Sequence, residues 1–223
     1  MSERLWSEVD AYIESRLLGA DEVLDEAVRA SAEGGLPQIA VSPAQGKLLH
    51  LLARIHGAKR ILEVGTLGGY SSIWLGRAIE LAGEGRLISL ELEPHYADVA
   101  RKNIEQAGLS ALVDVQVGPA IDSLDRLVAE GGDRFDMVFI DADKQSTPAY
   151  FERALELVGP GAVIVVDNVV RDGELIDSSS TDPRVEGMRR FHELLGSQEG
   201  VTGTTIQTVG SKGYDGFTLA LVQ

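Results

Sequence analysis

The chain contains no cysteine in its 223 residues. That absence excludes disulfides, thiolate metal sites and cysteine nucleophiles, and it fits a reducing compartment, so a cytoplasmic location is expected. Basic residues are scarce as well: 20 Lys and Arg stand against 35 Asp and Glu, a formal charge of −15. A nucleic-acid binder needs a basic face to displace counterions, so small molecules are the expected partners and nucleic acid is not. Nowhere do 18 uninterrupted apolar residues occur, and Met1-Ser2-Glu3-Arg4-Leu5-Trp6-Ser7-Glu8 carries acids before any apolar stretch. Neither a membrane span nor a signal peptide is predicted. His50, His56, His95 and His192 are scattered without metal-ligand spacing, which points to core or surface roles for them. Internal repeats, low-complexity tracts and a clear linker are missing too. One domain over 1–223 is therefore expected, with 1–57 a helical N-terminal part and 58–223 an α/β core.

What is present reads as alternation. Leu5, Trp6, Val9, Ile13 and Leu17 form one apolar stripe at helical spacing, predicting a helix packed on the core or, alternatively, a subunit contact. Ala20-Asp21-Glu22 looks like a second helix start. Ser42-Pro43 looks like a third, cap then first turn, leading into a largely buried helix marked by Leu48, Leu49, Leu51, Leu52 and Ile55. Five strands are predicted at Arg60 to Gly65, Arg86 to Glu91, Leu112 to Gly118, Phe135 to Asp141 and Ala162 to Asp167. Their nearly continuous apolarity suggests burial on both faces, as in a parallel sheet. With helical patterns between them, these imply a doubly wound, Rossmann-like α/β sheet. Val201 to Thr208 and Phe217 to Val222 are joined by too few residues for a crossover helix, so an antiparallel C-terminal pair is predicted at the sheet edge.

Two strand ends are acidic: Phe139-Ile140-Asp141-Ala142-Asp143-Lys144 and Val165-Val166-Asp167-Asn168. Asp141, Asp167 and Asn168 offer three hard oxygen ligands, which suit magnesium, calcium or manganese rather than zinc. Asp167 and Asn168 can share one ion only if the strand ends at Asp167, because neighbours inside a strand face opposite ways. Lys144 is a candidate base beside them. The plainer readings are helix capping for the three oxygen donors and an exposed helix-start lysine paired with Asp143.

After the first strand, Glu63-Val64-Gly65-Thr66-Leu67-Gly68-Gly69-Tyr70-Ser71-Ser72 forms a glycine-rich turn into a helix, where backbone can approach a ligand and free amides await it. The next strand ends in Glu91, placed to bind the two hydroxyls of a ribose. The turn departs from the spacing that a pyrophosphate wants, and Glu63 would repel one while accepting from a cationic ligand. This favours S-adenosylmethionine over a dinucleotide, although a nicotinamide-dependent oxidoreductase and a non-catalytic adenosine-cofactor-binding protein remain open as alternatives.

The ordered set Glu63-Val-Gly65-Thr-Leu-Gly68-Gly69-Tyr70-Ser71, Glu91, Gly118-Pro119-Ala120, Phe135 to Lys144 and Asp167-Asn168 resembles the cation-dependent class I O-methyltransferases, over about Val41 to Gly173. That family includes catechol and caffeoyl-coenzyme A O-methyltransferases, and the Asp-Ala-Asp-Lys and Asp-Asn signatures are more similar to the latter. The resemblance implies a seven-stranded sheet and methyl transfer to a hydroxyl of a catechol-like or hydroxylated aromatic small molecule. It implies S-adenosylmethionine held by Val41, Glu63, Gly65, Ser71, Glu91, Gly118 and Ala120, with Asp141 close by. It also implies a divalent cation, magnesium first, on Asp141, Asp167 and Asn168, with Lys144 and Asp141 as the catalytic pair. A homodimer is the family-based expectation. The loops at Ser31 to Val41 and Arg171 to Pro183 are expected to line the acceptor pocket. Catechol O-methyltransferase has a lysine in the segment matching Gln45, and a bulky aromatic pair where this chain has Ala142-Asp143, so the acceptor pocket need not be the same.

Overall fold

Alternation along one strand sets the architecture. In β4 (Phe135–Ile140), Met137 and Phe139 join one buried cluster while Val138 and Ile140 join another, so the sheet has a core on each face. This is a computed structural model, and it describes residues 3–223. Parallel strands β1 (Arg60–Val64), β2 (Arg86–Glu91) and β3 (Val113–Val117) extend to one side of β4. On its other side lie β5 (Val158–Asp167) and the antiparallel β7 (Gly213–Val222) and β6 (Val201–Gly210). The seven-stranded order is β3-β2-β1-β4-β5-β7-β6. One face is covered by α2 (Glu22–Glu33), α3 (Pro43–His56), α4 (Tyr70–Ala82) and α5 (Pro94–Gln106). The other is covered by α6 (Ala120–Glu130), α7 (Thr147–Leu157) and α8 (Pro183–Ser197). The doubly wound arrangement expected from the strand patterns is present, and its reversal point falls between β1 and β4, where such sheets bind ligands.

Local signals explain the helix starts. Ser42 caps α3 by accepting from the Gln45 N–H, with Pro43 in the first turn. Asp21 caps α2 through Leu24 and also pairs with Arg77 of α4. Phe139, Phe151 and Phe191 are among the largest fully buried side chains. Each contributes about 1.5–3 kcal/mol of burial, which exceeds the ~1 kcal/mol of one helix cap. Packing therefore dominates.

Four sequence expectations are corrected. No residue of α1 (Glu3–Leu17) is buried, and Leu17 is 73% exposed, so its stripe does not pack on the core. Polar contact instead ties α1 to the C-terminal hairpin, where the Ser211 N–H donates to Asp10 at 2.7 Å. In α3 the buried face is Gly46, Leu49, His50 and Ala53, while Leu51 is exposed and Ile55 is 82% exposed. The reason is steric: a Cβ at Gly46 would sit 2.3 Å from the Trp74 ring, so glycine lets α3 lie directly on α4. The C-terminal strands run on through the stretch predicted as loop, pairing Gly210 with Gly213 and leaving only Ser211 and Lys212 between them. β5 likewise starts at Val158 instead of Ala162, with a register shift against β4 that absorbs Gly159-Pro160-Gly161.

Candidate active site

Parallel strands bring their C-terminal ends to one edge, and the predicted residues collect there. Glu63 is fully buried in β1, beside Ser89 in the register of β2. One of its oxygens accepts from Ser89 at 2.6 Å and from Ser72; the other, Oε1, is buried without a partner. Burial, opposed by the neighbouring serine hydroxyls and aided by the charge of Asp141, pushes the Glu63 pKa up to about 7. An unpartnered buried carboxylate oxygen is the feature a cationic ligand would satisfy.

Gly65 follows with φ +102, and a Cβ there would lie 2.3 Å from the Asp141 carbonyl oxygen. Glycine thus allows the β1 turn and the β4 end to touch, and the Asp141 N–H donates to the Val64 carbonyl at 2.8 Å. Glu91 braces the same turn, accepting from the Thr66 and Leu67 N–H groups at 3.2 and 2.7 Å and from Glu93 at 2.9 Å. Each of its oxygens retains lone-pair capacity for a further donor. Ser71 lies in the first turn of α4, Val41 is buried just before α3, and Ala120 opens α6. Gly118, at φ +138, faces open space, with its N–H bonded to the Glu91 carbonyl.

Asp141 ends β4. Lys144 starts a 3-10 turn over Lys144–Ser146 that enters α7, and it is buried. Its Nζ donates to Asp141 Oδ1 at 2.7 Å. The exposed lysine paired with Asp143 is therefore not what forms: Asp143 instead accepts from the hydroxyl of buried Tyr150 at 2.5 Å. Burial, with the Asp143 carboxylate behind it, raises the Tyr150 pKa and keeps the phenol protonated as a donor.

Asp167 is the last residue of β5 and is buried, and Asn168 turns immediately to φ +54. The condition for these neighbours to serve one ion, a strand ending at Asp167, is met. Burial first, then the charge of Asp141, raises the Asp167 pKa, while Lys144, the Gln45 side chain and the Asn168 N–H lower it. Two carboxylates that repel each other at a buried edge, with an amide beside them, make a donor set suited to a hard divalent cation. Among the described residues no group of three His, Cys, Asp or Glu is placed to hold a metal ion.

An O-methyltransferase family model matches residues 14–222. The chain belongs to the O-methyltransferase family. It is 51% identical over 223 residues to a catechol O-methyltransferase of Niastella koreensis, with 100% of each chain covered. The crystal structure of an O-methyltransferase from Bacillus cereus in complex with SAH has a TM-score of 0.97 and 51% identity, again covering 100% of both chains. An O-methyltransferase from Streptomyces achromogenes involved in tomaymycin synthesis, in complex with SAM, has a TM-score of 0.95 and 52% identity over 100% of this chain and 99% of its own. Family membership decides against the nicotinamide-dependent alternative.

In this O-methyltransferase the sequence located the strand-end acids but missed their supports. Ser89 interrupts the apolar run of β2 and could have been noticed for that, since a polar residue in a buried strand needs a partner. Gln45 and Tyr150 gave no such signal. Ser31, expected in the acceptor loop, lies in α2, and its hydroxyl donates to the Ala27 carbonyl. No described helix is long and apolar enough to cross a membrane.

Proposed function

We propose that this O-methyltransferase transfers the methyl group of S-adenosylmethionine to a hydroxyl of a catechol-like or hydroxylated aromatic acceptor, with a divalent cation, magnesium first, held by Asp141, Asp167 and Asn168. The carrying observation is the buried Lys144 amine hydrogen-bonded to Asp141 at 2.7 Å, next to the strand end at Asp167. The SAM and SAH complexes of the two solved relatives support the cofactor, and the name of the Niastella koreensis relative supports the acceptor class.

A phenol with a pKa near 10 is only about a thousandth ionised at neutral pH, so the oxygen must be activated. Lys144, when neutral, takes the hydroxyl proton at Nζ, and Asp141 keeps that amine in place. The acceptor oxygen then forms its bond to the methyl carbon as the carbon–sulfur bond breaks, and the sulfonium leaves as a neutral thioether. A bound divalent cation would lower the pKa of the hydroxyl it touches and orient a vicinal diol. Glu63 accepts from the cationic methionine end. Val41, Gly65 and Ser71 line that end, while Glu91, Gly118 and Ala120 line the ribose and adenine side.

Incubating the protein with labelled S-adenosylmethionine and a panel of catechols, with magnesium or with chelator, tests the reading. Magnesium-dependent labelling of a catechol is expected; labelling that ignores the chelator, or none with any catechol, would sink it. The whole chain acts as one methyltransferase domain in this reading, and the lack of cysteine supports a cytoplasmic setting. The exposed Leu5, Val9, Ile13 and Leu17 support a homodimer. Light scattering of Leu17→Glu, expected to yield monomer, checks that.

A further inference from the structure

The chain just beyond Asp167 runs through an unusual backbone. Asn168, Arg171 and Asp172 have φ of +54, +55 and +54, and Gly173 follows at +85. Non-glycine residues are strained in this region, Asn and Asp less than others, and persist there only where surrounding contacts over-determine them. The over-determining group is on another strand. Asp215, near the start of β7, accepts at one oxygen, Oδ1, from the N–H groups of Val170, Arg171 and Gly216 at 2.9, 3.0 and 3.0 Å. Its other oxygen faces the Arg171 guanidinium at 3.7 Å. The Val169 N–H donates to the Gly216 carbonyl at 3.1 Å, and a Cβ at Gly216 would come within 2.7 Å of Val170, so the turn is seated directly on β7.

The same segment is held at its far half from α8. Arg189 donates to the carbonyls of Glu174, Leu175, Asp177 and Ser180, covering the 3-10 stretch Arg171–Ile176 and the loop after it. Arg189 touches nothing adjacent to Asn168. Asp215 reaches closer: its two loop donors, Val170 and Arg171, are the second and third residues after Asn168.

We propose that Asp215 is a positioning residue for cation and acceptor binding, holding Asn168 in the left-handed turn beside Asp167 by gathering the backbone N–H groups of Val170 and Arg171. This rests on the reading of Asp141, Asp167 and Asn168 as cation ligands. Asp215 itself does not reach the reacting atoms. Supporting groups of this kind change metal affinity by ~10- to 100-fold when removed.

The test uses the full chain as wild type, Asp215→Ala, Asp215→Asn and Asn168→Ala. Binding of manganese is followed by the loss of its free electron-paramagnetic signal, cofactor affinity is measured by calorimetry without metal, and KM is measured for catechol. Asp215→Ala is expected to weaken manganese binding by at least about tenfold and to raise the catechol KM, with cofactor affinity within about twofold. Asp215→Asn, which keeps an acceptor oxygen without the charge, is expected to fall between and decides the matter if the alanine variant does not fold. Unchanged manganese binding in both Asp215 variants, or equal losses of manganese and cofactor affinity, overturns the proposal. Should wild type and Asn168→Ala bind manganese alike, the ligand reading itself fails and the proposal falls with it; loss in Asn168→Ala alone overturns the role of Asp215 and leaves the ligands standing.

Discussion

Lys144 is buried and gives its amine to Asp141 at 2.7 Å, three residues away across the turn that leaves β4. A lysine in this position has the reach of a base and the partner that fixes its rotamer. Lys144→Ala is expected to lower methyl transfer by about 10²- to 10⁴-fold, the usual contribution of a positioned base, while calorimetric affinity for S-adenosylmethionine stays near wild type. Lys144→Arg sharpens the test, because arginine can keep the ion pair but cannot deprotonate. Transfer should remain low with stability retained, and wild-type activity in Lys144→Arg would remove Lys144 from the chemistry.

Asp167 is buried next to the charge of Asp141. Without metal these carboxylates oppose folding, so Asp167→Asn is expected to raise the melting temperature in chelator, by about 2–4 °C for each kcal/mol relieved in a chain of this size. Magnesium should then raise the melting temperature of wild type and leave the variant unmoved. Scanning calorimetry with and without magnesium reads both halves of this trade.

Glu63 provides a pH dependence whose sign is fixed. Its folded pKa, raised from 4.5 to about 7, lies above the unfolded value, so the folded state holds the extra proton between these values. Its contribution is therefore full below pH ~4.5 and is lost as pH rises through about 7. The loss is of the order of 3 kcal/mol, since each pKa unit is worth about 1.4 kcal/mol. The difference in urea stability between Glu63→Gln and wild type should accordingly grow with pH across that window and level off above it; a flat difference would show that Glu63 is ionised throughout.

Gly65→Ala should damage both fold and site. Its φ of +102 disfavours any side chain, and the added Cβ would meet the Asp141 carbonyl at 2.3 Å. A cost above about 2 kcal/mol is expected from strain plus displacement, with methyl transfer falling further than cofactor binding because Asp141 moves. Urea unfolding and initial-rate measurements on the same preparation separate the two losses.

Much of this was legible in the residues, for physical reasons. β1, β2, β4 and β5 are buried on both faces toward their C-terminal ends, and that leaves apolar runs closing near acids, which is how Glu63, Glu91, Asp141 and Asp167 could be placed at one edge. β3, expected to be buried on both faces as well, instead alternates, with Asp114 and Gln116 half-buried and Val117 exposed at the sheet edge. The C-terminal hairpin was harder to read. Gly210, Gly213 and Gly216 look like loop residues, yet at Gly216 the missing side chain is what lets Val170 approach β7. Helical spacing alone misplaced α1 and α3, since the stripe of α1 has no core to meet and the buried side of α3 is chosen by the fit of Gly46 against Trp74. Partners distant in sequence, such as Asp215 to Val170, follow from tertiary packing and left no pattern to find.

The most direct measurement is a crystal structure of the protein with S-adenosylhomocysteine, magnesium and a tight-binding catechol. The expected result is a magnesium ion about 2.1 Å from oxygens of Asp141, Asp167 and Asn168, both catechol oxygens on the same ion, and Lys144 Nζ within hydrogen-bond reach of one of them. Magnesium held elsewhere, or a catechol bound away from Lys144, would contradict the account.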